Sequence, residues 1–220
     1  MFITFEGLDF CGKSTQVSLL KAYLESISLK TLLLREPGGT EISEKIRDIL
    51  LDKKNSRMVM EAELLLFSAS RAQLVRDVII PKLNEGFIVI SDRFHDSTTA
   101  YQGFGRGIDL DFITKLNSFV IQNALPDITF FIDITVEEAK KRKEKNQFFN
   151  LDRIEISNDD FYQKVRNGYL YSAEKEKRFF RIDGTKSIDE IHNEIKEKIN
   201  FMLEVKRGIK WKMFIDQLQF

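Results

Sequence analysis

The sequence predicts an α/β fold: a five-stranded parallel sheet with helices on both faces and a small lid. Three observations carry this. Strand-like apolar runs at 2–6, 31–35, 87–91, 128–132 and 178–182 alternate with helical patterns at about 13–28, 41–52, 60–84, 109–124, 135–145, 158–176 and 187–203. Such alternation argues for parallel strands covered by crossover helices. The first run leads straight into Gly7-Leu8-Asp9-Phe10-Cys11-Gly12-Lys13-Ser14-Thr15, a G-x-x-x-x-G-K-S phosphate-binding loop in its required strand–loop–helix setting. Finally, 220 residues with a hydrophobic fraction of 43% suit one domain with a real core. In this class the site lies beyond the carboxyl ends of the strands.

The bulk numbers narrow the function. Lys and Arg total 34 and Asp and Glu total 34, so no global field argues for nucleic acid or a membrane as partner. No apolar run reaches membrane-spanning length, and the chain enters a strand at once, with no leader pattern. Cys11 is the single cysteine, which excludes an internal disulfide and fits a reducing compartment. The expectation is a soluble cytoplasmic protein. His95 and His192 make no metal-ligand spacing, and no Ser–His–Asp or Cys–His arrangement stands out.

Taken in order, the run 2–6 is short and apolar enough for a buried strand, and Val17, Leu19, Leu20, Tyr23 and Leu24 recur at helical spacing after the loop. The loop glycines turn successive N–H groups inward as an anion nest at a helix N-terminus. Lys13 adds charge for the terminal phosphates of a nucleoside triphosphate, and the Ser14 hydroxyl can ligate Mg²⁺. Cys11 reads as a passive spacer. The second strand ends in Arg35-Glu36-Pro37-Gly38-Gly39-Thr40-Glu41, a tight turn at the same sheet edge, expected to face substrate through Glu36 and Pro37; a plain strand-to-helix connection also accounts for its glycines.

In the third helical segment Phe67 and Arg71 stand four apart and share a face, suited to a planar heterocycle by stacking and hydrogen bonding, although a ring after Leu64-Leu65-Leu66 is more often core. Arg76 reads as solvated surface. The third strand ends in Asp92-Arg93. The carboxylate can hold a water of Mg²⁺, and the guanidinium can stabilise a transferring phosphoryl group; an ion pair capping the strand is the plain alternative. Ser97, Thr98, Tyr101 and Gln102 follow at close spacing, suited to reading sugar and base edges, with Gly103, Gly105 and Gly107 consistent with a flexible turn. The fourth strand leads to Lys140, Lys141, Arg142, Lys143 and Lys145, ordinarily a solvated helix face. That run enters an aperiodic stretch, so the segment at about 142–157 is expected to be a lid that excludes water and delivers an arginine. The tail 204–220 is basic and aromatic, with Trp211, Phe214, Ile215 and Leu218 on one side of a short helix that suits packing on the domain or a second copy.

Four stretches together carry a family likeness. Phe5-Glu6-Gly7-Leu8-Asp9 with Gly12-Lys13-Ser14-Thr15-Gln16, Arg35-Glu36-Pro37-Gly38-Gly39-Thr40, Asp92-Arg93, and Ser97-Thr98 with Ala100-Tyr101-Gln102-Gly103 resemble thymidylate kinases, collinearly over about residues 1–203. The resemblance implies γ-phosphoryl transfer from ATP to dTMP, with Mg²⁺, by a homodimer. It implies that Gly7 to Thr15 and Arg142 hold ATP, and that Asp9 contacts the dTMP sugar and helps place the acceptor phosphate. Phe67 would stack on thymine, Arg71 would bond the base edge, Arg93 would clamp the phosphates, and Ser97, Thr98, Tyr101 and Gln102 would line the base and sugar pocket. Some members carry a basic residue inside the loop where this chain has Phe10. Others place the catalytic arginine in the lid, and Leu151-Asp152-Arg153-Ile154-Glu155 resembles that pattern, which implies Arg153, with Arg142 as second candidate. The catalytic set is thus Lys13, Arg93, Arg153 and Asp9. Alternatives are a kinase for another nucleoside monophosphate and a GTP-dependent switch, which usually carries an N-K-x-D that is not found here.

Overall fold

In the computed structural model, which describes residues 1–145 and 152–206, the chain forms the expected sheet. Its strands are β1 (Phe2–Glu6), β2 (Thr31–Arg35), β3 (Ile88–Asp92), β4 (Ile128–Asp133) and β5 (Phe179–Asp183). All neighbours are parallel, in the order β2-β3-β1-β4-β5. β1 is central, and its neighbours β3 and β4 take the chain to opposite halves of the sheet. The crevice this creates opens at the carboxyl end of β1, where the glycine loop lies.

The helices are α1 (Lys13–Ser26), α2 (Glu41–Leu51), α3 (Met60–Leu74), α4 (Ile80–Asn84), α5 (His95–Thr98), α6 (Leu110–Ile121), α7 (Val136–Lys145), α8 (Asp159–Lys175) and α9 (Ile188–Lys206). Capping residues start five of them. Thr40, Asp109, Thr135, Asn158 and Ser187 accept from Ser43, Phe112, Glu138, Phe161 and Glu190 N–H at 3.0, 2.8, 3.2, 2.9 and 3.3 Å, each satisfying a helix donor that has no intrahelical partner. α1 differs: it opens at Gly12 (φ 99°) with no side-chain cap, so its leading N–H groups point toward the sheet edge.

Strand alternation sorts the core. Ile3 and Phe5 face one side of the sheet, packing with Leu20 and Leu24 of α1 and Ile195 and Ile199 of α9. Phe2 and Val89 face the other, with Leu74, Ile79, Phe94 and Val120. A third cluster joins Leu8, Phe131, Tyr101, Phe161, Val165 and Tyr169 under the site.

Two segments depart from the sequence reading. The pattern at 60–84 is not one even helix, because Val75–Ile79 widens to a π-helical turn between α3 and α4. The segment from Ser97, for which a flexible turn was the plain alternative, is helical: α5 continues as a π-helical stretch, Thr99–Gly105. Arg76 is exposed, as expected, yet it also donates to Ala72 O and Val120 O at 3.0 and 3.2 Å, tying the end of α3 to the end of α6. Residues 146–151 of the expected lid, Leu151 among them, and 207–220 of the tail, with its Trp211 and Phe214, lie outside the described residues.

Candidate active site

One cavity of about 840 Å³ runs along the carboxyl edge of the sheet. Its wall includes Asp9 to Gln16 at one end, and Glu36, Pro37, Phe67, Arg71, Thr98, Tyr101 and Gln102 at the other, with Asp92, Arg93 and Ser97 also lining it. Of the residues singled out along the sequence for the site, Gly7 and Leu8 lie just behind this wall and Arg153 is off it; the others line it together.

At the loop, Lys13 is buried and its ammonium donates to Gly7 O at 3.0 Å and Leu8 O at 2.7 Å. Gly7 sits at φ 143°, and a Cβ there would lie 2.5 Å from Ile132 O, so only glycine permits the loop to pass so close to β4. Ser14 Oγ donates to Asp92 Oδ2 at 2.6 Å. A hydroxyl and a carboxylate, both hard oxygen donors, fit Mg²⁺ that keeps waters and phosphate oxygens. Among the described residues no group of three or more His, Cys, Asp or Glu forms a cage of protein ligands alone.

Arg93 is the hub. Its Nη1 donates to Gly7 O at 3.0 Å, Tyr169 OH at 2.9 Å and Ser97 Oγ at 3.3 Å, and its Nη2 to Asp9 Oδ1 at 2.5 Å and Tyr101 OH at 3.0 Å. Its backbone is left-handed, φ 71°, a strain of about 1–3 kcal/mol for a non-glycine residue. Arg93 N–H donating to Phe5 O at 3.0 Å and Ser91 Oγ donating to Arg93 O at 2.7 Å hold that conformation. Burial raises the Asp9 carboxyl, but the charges of Arg93 and Lys13 outweigh it and hold the group below its ordinary value. Asp9 is therefore a fixed anion at neutral pH, suited to orienting rather than to giving a proton.

Across the cavity, Arg71 is 2% exposed and rigidly held. Nε donates to Glu36 Oε2 at 2.6 Å, Nη1 to Thr98 Oγ1 at 2.8 Å and Nη2 to Phe94 O at 3.2 Å. A buried pair of this kind fixes the planar guanidinium one helical turn from Phe67.

The exception is Arg153. Its Nη1 pairs with Glu63 at 2.7 Å, its Nε donates to Leu50 O at 2.8 Å, and it is not on the cavity wall. The physical reason is Glu63, a carboxylate 1% exposed that needs cationic partners. Arg142, the second candidate, does line the cavity: Nη2 donates to Gly184 O at 2.8 Å and Nη1 to Cys11 O at 3.4 Å, over the loop. Of the lid pattern, Asp152, Ile154 and Glu155 reach the wall.

Several wall or support residues escaped the sequence reading. Arg47 donates to Pro37 O at 2.8 Å and lines the acceptor end; its signal was a cation one turn beyond Ser43, on the buried face of α2. Tyr162 and Tyr169 of α8 reach Asp9 and Arg93 at 3.3 and 2.9 Å, and seven-residue spacing on one face was their signal. The turn Gly184, Lys186, Ser187 and Ile188 closes the loop end and has no sequence signal that we can identify.

Comparison with known proteins agrees with this geometry. A family model described as thymidylate kinase matches residues 5–195. The thymidylate kinase of Thermosipho melanesiensis is 51% identical over 205 residues, covering 93% of this chain and 100% of that protein. That of Kosmotoga olearia is 47% identical over 208 residues, covering 94% and 98%. The crystal structure of thymidylate kinase from Ehrlichia chaffeensis superposes with a TM-score of 0.74 at 38% identity, covering 91% of this chain and 98% of that one.

Proposed function

The chain belongs to the thymidylate kinase family and transfers the γ-phosphoryl group of ATP to dTMP, giving dTDP and ADP in nucleotide biosynthesis; we propose that it does so by the following division of labour. The single observation that carries it is the continuous cavity with the triphosphate loop at one end, Phe67 and Arg71 at the other, and Arg93 within it.

ATP lies with its phosphates against Gly7 to Thr15, and Lys13 turns from the Gly7 and Leu8 carbonyls to the terminal phosphates. Arg142, beside Cys11 and Gly184, supplies the lid-side cation, in place of Arg153. dTMP stacks its base on Phe67 and meets Arg71, Thr98 and Gln102, with Glu36 holding Arg71 and Pro37 closing the turn. Asp9, Ser97 and Tyr101 place the sugar, and Arg93 with Arg47 places the acceptor phosphate. That phosphate oxygen is already an anionic nucleophile at neutral pH, so alignment and charge neutralisation supply the catalysis. Ser14 and Asp92 would hold Mg²⁺, which would supply neutralisation of phosphate charge.

Exposed apolar side chains on adjoining helices, Leu65 of α3 (55% exposed) with Phe112 and Phe119 of α6 (50% and 73%), support a homodimer formed through that face. No described helix is long and apolar enough to cross a membrane, and a free, buried Cys11 suits a cytoplasmic setting.

Lys13→Ala and Arg93→Ala should each lower kcat by ~10²-fold or more, as removal of a transition-state donor does, read by ADP release with saturating substrates. A kcat within twofold of wild type would remove the corresponding role. Turnover that survives EDTA would reject the metal, and a monomeric mass in sedimentation at micromolar concentration would reject the dimer.

A further inference from the structure

Glu63 lies in the first turns of α3, 1% exposed and off the cavity wall, yet it organises a residue that is on that wall. Its Oε1 accepts from Gln102 Nε2 at 2.9 Å and from Arg106 Nε at 3.0 Å. Its Oε2 accepts from Arg106 Nη2 at 3.1 Å and pairs with Arg153 Nη1 at 2.7 Å. Burial pushes the carboxyl up, but hydrogen bonds from Arg106 and Gln102 outweigh it and hold the group below its ordinary value. Glu63 is thus an anion that only accepts.

That settles which way the Gln102 amide points. An amide has one donating and one accepting end, and only the NH₂ can face a carboxylate. The carbonyl oxygen is the end left over. Among the described residues no donor reaches it, and it is not sealed away from the cavity that Gln102 lines beside Phe67 and Arg71. A carbonyl oxygen at a base edge welcomes a donor. Thymine and uracil present N3–H, whereas cytosine presents a lone pair at N3.

We infer that Glu63 is a positioning residue for base selection: by accepting the Gln102 NH₂ it turns the Gln102 carbonyl to the base, admitting bases with N3–H and rejecting cytosine. This rests on the reading of the cavity as the dTMP site. It leaves discrimination against uracil to other contacts, because uracil carries the same N3–H.

The test compares kcat/KM for dTMP, dCMP and dUMP in the wild type and in Glu63→Gln. The new amide can donate as well as accept, so it no longer dictates how Gln102 points. The dTMP-to-dCMP ratio should fall about tenfold or more, since that preference derives from a buried polar match. The dTMP-to-dUMP ratio and the KM for ATP should stay within twofold. A variant that loses activity equally on dTMP and dCMP overturns the inference. A wild type that does not prefer dTMP to dCMP overturns the reading of the cavity itself, which separates the two failures. Should Glu63→Gln not fold, wild-type protein still decides by NMR. The Gln102 side-chain NH₂, assigned by its loss in Gln102→Ala, should exchange with water at least ~10-fold more slowly than a solvated glutamine, with or without dTMP. Exchange at the solvated rate overturns the inference.

Discussion

Glu6 shows what a single residue does inside this fold. It ends β1 fully buried, its Oε1 accepting from Phe94 N–H at 2.8 Å and its Oε2 from Ser97 Oγ at 2.6 Å and Tyr169 OH at 2.8 Å. Those last two partners also bond Arg93, so Glu6 sits one contact behind that guanidinium. Burial, then the charge of Asp96, pushes its pKa from 4.5 up to about 7, against the pull of Arg93. The folded chain therefore keeps a proton that the unfolded chain releases. That contribution is full below about pH 4.5 and is lost as pH rises through about 7, a swing of roughly 3 kcal/mol. Glu6→Gln should flatten this slope, so that urea stability changes less between pH 5 and pH 8 than in the wild type. A slope identical to wild type would contradict the assignment. The residue was visible as the one acid in an apolar strand, but its partners come from 91 and 163 positions away. No local pattern announces such a network. The same is true of Arg153, whose motif was legible while its engagement by Glu63, 90 positions earlier, was not.

At the scale of elements, the strands and most helices follow from periodicity and caps, and their observed limits fall within three residues of the sequence reading. The exception is 95–105, where the sequence carries no helical pattern and a flexible turn is the plain alternative for its glycines. Gly105 instead lets Phe161 and Val165 of α8 approach the π-helical stretch, Gly103 lets Leu110 and Ile113 of α6 approach it, and the clearest case lies on α8 itself. At Gly168 a Cβ would stand 2.8 Å from Ala100 Cα, a backbone atom that cannot step aside. Gly168→Val should push α8 away, carrying Tyr169 off Arg93. Overpacking of this kind costs ~1–3 kcal/mol, measured as a lower urea midpoint, and kcat should fall with it. An unchanged midpoint and kcat would show that the close approach is not needed. Contact between two helices some 65 residues apart is a property of the fold, which is why glycine composition alone read as a turn.

For the whole molecule, the topology brings the loop after β1, the turn after β2, the Asp92-Arg93 corner after β3 and, from α7 after β4, Arg142 and Lys145 to one edge, and the cavity joins them. The loop motif by itself spoke only of nucleotide phosphates. The acceptor end became legible through the joint presence of the Arg35–Thr40 turn, the Phe67–Arg71 pair and the Ser97–Gln102 segment, whereas Arg47 and the Gly184–Ile188 turn needed the folded chain. The central claim is that this one cavity selects dTMP as acceptor. Its most direct test is ADP release from ATP and Mg²⁺ with dTMP set against dUMP, dCMP, dGMP, AMP, CMP, GMP and UMP. The account predicts the highest kcat/KM for dTMP, with dCMP and the purine nucleotides at least ~10²-fold lower. Preference for any other acceptor, or ATP binding without transfer to any of them, would contradict it.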